Sequence, residues 1–166
     1  KSEKNPLDKL EQSELKRRAK KQSEALEYNL KIAVAESCTG GMISSALIDY
    51  PGISSVFMEG CVTYSNEAKV MSLGVKEETL NTVGAVSEEC AKEMAQGLLQ
   101  LTKSDIVICT TGVAGPTGSE AKPVGLMYAA CGYNGKITVK KFELNPAYTR
   151  KNMKFIIDNV VTYVIE

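Results

Sequence analysis

Apolar positions along this chain fall into short runs and helical stripes that alternate. Residues 31–35 (KIAVA), 61–64, 105–110 and 124–131 are brief apolar stretches bounded by polar residues, the pattern of strands buried on both faces. Residues 136–143 alternate instead. Ile137, Val139 and Phe142 stand against Thr138, Lys140 and Lys141, which predicts a more exposed strand. The Gly132-Tyr133-Asn134-Gly135 turn between the last two runs predicts a hairpin, and with it one antiparallel pairing.

Helical signals fill the intervals. A helix over 42–50 follows Gly40-Gly41 and stops at Pro51-Gly52. A short one over 67–73 ends at Gly74, a C-cap residue. Ser87 is a good N-cap, Glu88 and Glu89 complement the helix dipole, and Ala91, Met94, Ala95, Leu98 and Leu101 mark one buried face. Residues 147–165 read as a last helix, with Met153, Ile156, Ile157, Val160 and Val164 on one side. Near the start, Leu15, Ala19, Leu26 and Leu30 lie at helical spacing, so residues 1–29 read as a charged helix packed on the domain or on a neighbouring subunit. Residues 30–166 form the domain proper. Strands alternating with helices predict an α/β fold, a three-layer α/β/α sandwich with a mixed, mostly parallel sheet of about five strands.

Composition narrows the chemistry. A chain of 166 residues suits one domain with a sizeable core. Net charge is zero and aromatics are 6%, which argues against a nucleic-acid partner. The basic stretch Lys16–Lys21 reads as a solvated helix face rather than a nucleic-acid patch. Five Cys, widely spaced and without a CxxC pair, fit buried thiols in a reducing compartment better than disulfides or a metal site. No apolar run approaches a membrane span, so no membrane partner is expected and the cytoplasm is the expected location. The chain has no His, which excludes Ser-His-Asp and Cys-His pairs and leaves Lys as the natural proton acceptor for any acyl transfer.

Three segments could carry chemistry. Ala35-Glu36-Ser37-Cys38-Thr39-Gly40-Gly41 joins a strand to a helix, where backbone N–H groups and a positive dipole end can meet an anion. The segment fits neither the Walker A nor the GxSxG pattern, and a plain capped turn explains it equally well. Val62–Lys69 is a second strand-to-helix junction, with Lys69 about one turn into the helix; a solvated lysine and a packed Tyr64 are the plainer readings. Thr110–Gly118, running on to Lys122-Pro123-Val124-Gly125, is a loop rich in turn formers and able to present backbone N–H groups.

At these segments the chain resembles the CinA C-terminal domain family, the nicotinamide-nucleotide amidohydrolases. AESCTGG at 35–41, VTYSNEAK at 62–69, GAVSEE at 84–89, TGVAGPTG at 111–118 and KPVG at 122–125 occur in the family's order. The resemblance covers about residues 30–165. It implies hydrolysis of the carboxamide of nicotinamide mononucleotide to nicotinate mononucleotide and ammonia by a Ser–Lys arrangement, without metal or organic cofactor, in a homo-oligomer (a dimer or larger). Carried over by position, Ser37 is the nucleophile and Lys69 its base. Thr39, Gly40, Gly41, Tyr64, Thr111, Gly112, Gly115 and Arg150 would hold the nucleotide substrate. Backbone N–H groups around Cys38–Gly41 would stabilise the oxyanion. Cys38, beside Ser37, is the rival nucleophile. The alternative function is a nucleotide-binding module of the same fold without hydrolysis. Its motive is the stretch Leu144-Asn145-Pro146, where the family tends to carry a Gly-Asp-Arg string.

Overall fold

Alternation of side chains along the strands divides the interior into two cores, one on each face of a single sheet. The computed structural model describes residues 16, 20 and 22–147. Five strands, β1 (Ile32–Glu36), β2 (Phe57–Val62), β3 (Ile106–Gly112), β4 (Leu126–Tyr133) and β5 (Lys136–Glu143), pair in the order β2-β1-β3-β4-β5. β1 is parallel to β2 and β3, β4 is antiparallel to β3, and β5 is antiparallel to β4. Four strands therefore run one way and β4 alone runs back. The expected hairpin closes β4 to β5 through Asn134 and Gly135, both at positive φ as the primed two-residue turn requires.

Helices α1 (Met42–Ile48), α2 (Asn66–Leu73), α3 (Glu77–Thr82) and α4 (Glu88–Thr102) cover the two faces. Ile32, Val34, Ile106, Ile108 and Met127 point to one core, where they meet Ile43 and Leu47 of α1 and Ala25 of the helical residues 22–27. The described part of the N-terminal helix thus packs on the domain. Ala33, Ala35, Val107, Cys109 and Ala130 point the other way, to Leu73 of α2 and to Cys90, Ala91, Met94, Ala95 and Leu98 of α4. That second face is mostly small residues, so α4 can lie close to the sheet. Gly97 on α4 in turn lets α2 approach: a Cβ there would overlap the Leu73 carbonyl.

The observed elements depart from the sequence reading most at β2 and α3. β2 runs over Phe57–Val62 rather than 61–64, because it is an edge strand with exposed Met58 and Glu59 and lacks the apolar run of a buried one. Thr63 and Tyr64 have already left the sheet to turn into α2. α3, with the sequence EETLNT, buries no residue and so carries no stripe to read. The helix expected over 147–165 lies almost wholly outside the described residues. Among the described residues no helix is long and apolar enough to cross a membrane.

Candidate active site

β1 ends in a buried acid. Glu36 is fully buried, and its carboxylate accepts from Thr39 Oγ1 (2.6 Å), Ile43 N (2.9 Å), Ser44 N (3.0 Å) and Ser44 Oγ (2.8 Å). Two of these donors are the first-turn N–H groups of α1, so Glu36 caps the helix from the preceding strand and compensates its dipole. Thr39 Oγ1 also lies 2.9 Å from Thr110 Oγ1 on β3, tying the turn to the neighbouring strand. Ser37, the residue after Glu36, is held where β1 meets this clamped turn.

Lys69 reaches Ser37 from the other junction. Ser65 caps α2, its hydroxyl accepting from Ala68 N at 3.0 Å. Lys69 stands in the first turn, and side chains on a helix lean towards its N-terminus. Its ammonium end is buried, with Nζ 3.1 Å from Ser37 Oγ, 2.8 Å from Thr63 O and 3.0 Å from Tyr64 O. Two carbonyls can accept only N–H, so they take two positions of the tetrahedral nitrogen and turn the third to the hydroxyl. In a neutral amine that third position is the lone pair, aimed at the proton of Ser37. Burial pushes the Lys69 pKa below the ordinary 10.5, against smaller opposing effects from Cys90, Cys38 and Glu120.

A cleft of about 240 Å³ opens above this pair. Tyr64, Thr111, Gly112 and Gly115 line it, as do Ser37 and Lys69, so six of the residues singled out from sequence are brought together. The Thr111 hydroxyl has its proton engaged, Oγ1 donating to Ala85 O at 2.8 Å. Thr39, Gly40 and Gly41 are not brought to the cleft. Thr39 is buried against Glu36, and Gly40 and Gly41 take φ of 59° and 103° to make the turn before α1. The helix N-terminus expected to meet an anion is occupied by the Glu36 carboxylate. Arg150 lies outside the described residues.

Cys38 lines the cleft, but its thiol is pushed up to about 12, first by burial and further by the nearby Glu36 charge. A thiol held so far above neutral pH is a poor source of thiolate, which favours the hydroxyl beside it. Sequence reasoning missed Glu120. It lines the cleft, and its carboxylate accepts from Ala85 N (3.0 Å) and Val86 N (3.1 Å). The signal available was a single carboxylate inside a Gly- and Pro-rich loop, where solvated acids are common.

Residues 14–165 match the model of the CinA C-terminal domain. The chain belongs to that family. Among solved structures, the competence/damage inducible protein CihA from Agrobacterium tumefaciens superposes with a TM-score of 0.84 at 35% identity, covering 90% of this chain and 93% of that one. A CinA superfamily protein from Klebsiella pneumoniae 700603 gives 0.80 at 31%, covering 89% and 95%. A curated relative named as a competence-damage inducible protein in Clostridioides difficile is 64% identical over 117 residues, 70% of this chain but 28% of the relative. The chain spans under a third of the length of this relative, and likewise of one from Clostridium perfringens that is 59% identical over 118 residues. Within this CinA domain, the clamp on β1 and the carbonyl pair under Lys69 are both built by the strand-to-helix junctions that the motif strings occupy.

Proposed function

We propose that this CinA domain is an amidohydrolase that converts nicotinamide mononucleotide and water to nicotinate mononucleotide and ammonia. The observation that carries this reading is the approach of Lys69 Nζ to Ser37 Oγ at 3.1 Å in a buried setting that lowers the amine's pKa. Neutral Lys69 takes the proton of Ser37 as Oγ bonds to the carboxamide carbon. The oxyanion falls to the backbone N–H groups of the Ser37–Cys38–Thr39 turn, and a donor of that kind is typically worth about 3 kcal/mol. The Lys69 ammonium then protonates the amide nitrogen, the C–N bond breaks and ammonia leaves. A water molecule gives a proton to Lys69 as its oxygen bonds to the acyl carbon; the bond from carbon to Ser37 Oγ breaks, Lys69 returns that proton to Oγ, and the acid leaves, giving its remaining proton to solvent as it becomes the carboxylate. Tyr64, Gly112 and Gly115 are the walls against which ring and ribose rest.

The test is ammonia release from nicotinamide mononucleotide in the presence of EDTA. The expected result is turnover that falls by about 10⁴-fold or more in Ser37→Ala and in Lys69→Ala, both folded, and persists in Cys38→Ala. Release that survives in Ser37→Ala and disappears in Cys38→Ala would reverse the nucleophile. No release by the folded unaltered protein would leave nucleotide binding without hydrolysis as the activity of this fold.

A further inference from the structure

The ionisable side chains lining the cleft, among the described residues, are Cys38, Tyr64, Lys69 and Glu120. The thiol is held protonated, and Lys69 must be neutral to act as a base. Glu120 is the acidic side chain of this surface. Its placement is specific. The backbone of Glu120 and Ala121 takes left-handed φ of 54° and 58°, bringing the carboxylate onto the N–H groups of Ala85 and Val86. Each oxygen thereby receives one hydrogen bond and keeps acceptor capacity for a second partner. Lys122 stands 3.6 Å from Oε2, but it does not line the cleft and donates to the carbonyls of Val83 and Val86. The lysine therefore fastens the carboxylate from outside while the cleft receives its negative side.

We propose that Glu120 is the specificity-determining residue of this cleft, its carboxylate selecting amides borne on a cationic heteroaromatic ring over amides on a neutral one. The assignment rests on the amidohydrolase reading above and deepens it. A carboxamide carbon at Ser37 places its ring in the space lined by Tyr64, Gly112 and Glu120. A ring nitrogen quaternised by its bond to ribose carries a full positive charge there. A carboxylate already held by two backbone N–H groups can approach that charge without being ordered first. The cationic ring is also the more reactive substrate in its own right, since a positive ring withdraws electrons from the carboxamide that Ser37 attacks.

Binding separates this role from a structural one. The Ser37→Ala protein, with and without Glu120→Gln, is titrated with nicotinamide mononucleotide and with its reduced form. The reduced form keeps amide, ribose and phosphate but has an uncharged ring. The expected result is a Kd for the oxidised nucleotide raised roughly fivefold by Glu120→Gln, with the reduced form changed by less than about twofold. Equal weakening of both forms would make Glu120 a loop fastener only, and no change in either would remove it from recognition; either outcome overturns the proposal. Ammonia release by the unaltered protein is read in parallel. Release combined with equal weakening defeats the role of Glu120 alone. Absence of both release and binding defeats the amidohydrolase reading and this assignment with it.

Discussion

Lys69 is a buried amine with its nitrogen divided between two carbonyls and one hydroxyl. The base role proposed for it requires the neutral form, and burial lowers the pH at which that form appears. The rate must therefore rise with pH, and the midpoint of the rise must lie below the ordinary lysine value of 10.5. A kcat/KM profile for the unaltered protein checks this. A rising limb centred below 10.5 is expected, and a profile with no rising limb below that value, or one whose limb is unmoved in the residual activity of a Lys69 variant, would remove Lys69 as the titrating base. The burial of this residue against Ser37 was legible in the sequence only by resemblance, because a lone lysine in the first turn of a short helix reads most simply as solvated. What the sequence could not display is the pair of carbonyls from Thr63 and Tyr64, since backbone acceptors leave no mark on residue type. The same blindness explains Thr39, Gly40 and Gly41. Hydroxyls and glycines at a helix start look like a ligand cradle, and nothing in their residue types announces that Thr39 also bonds the Glu36 carboxylate and that Gly40 and Gly41 take the positive φ of the turn.

At the scale of elements, the position of α2 decides whether Lys69 meets Ser37. α2 holds its place by resting its C-terminal end against α4 at Gly97. The glycine sits mid-helix, where it is intrinsically unfavourable by about 1 kcal/mol relative to alanine, so its presence is explained by the close approach rather than by helix propensity. Gly97→Ala should destabilise the domain by about 3 kcal/mol, the upper range for overpacking, despite the better helix former. Urea unfolding measures that loss, and turnover at a temperature where the variant remains folded should fall as α2 is displaced. A variant as stable as the parent would mean that the two helices do not touch there. The stripe on α4 was legible because Ala91, Met94, Ala95 and Leu98 repeat at helical spacing over a long element; Leu101, expected on the same face, lies in the last turn and is exposed, while Cys90 is buried without having been singled out. β2 and α3 were not, because an edge strand and an exposed short helix share no single buried face from which periodicity could be read.

For the whole molecule, the parallel half of the sheet sets the ends of β1 and β3 side by side, which is why a cleft forms there and why open-sheet reasoning located it. The same burial that builds the core determines how stability responds to alkali. With no His in the chain, the groups whose folded-state pKa values move are five thiols and Lys69 among the described residues. Burial raises every one of the thiols above the unfolded value of 9.0: Cys38 to about 12, Cys90 and Cys131 to about 11, Cys61 upwards, and Cys109 well above. A group raised in the folded state contributes stability that is complete below its unfolded pKa and is lost as pH rises through the folded one. Lys69 has the opposite sign. Its folded pKa is lowered, so the unfolded state binds more protons between that value and 10.5, and stability rises with pH across that interval. Above about pH 9 the thiols outnumber the amine, each with a limiting slope of about 1.4 kcal/mol per pH unit. Stability of the reduced protein should therefore fall from pH 9 upwards. Urea midpoints at about pH 8 and pH 10, with reductant present, measure the fall. Cys109→Ala should make it shallower, and Lys69→Met, which removes the opposing group, should make it steeper. Midpoints that hold or rise to pH 10 would mean that water reaches these thiols in the folded state, and the second core would then not be dry around Cys90 and Cys109.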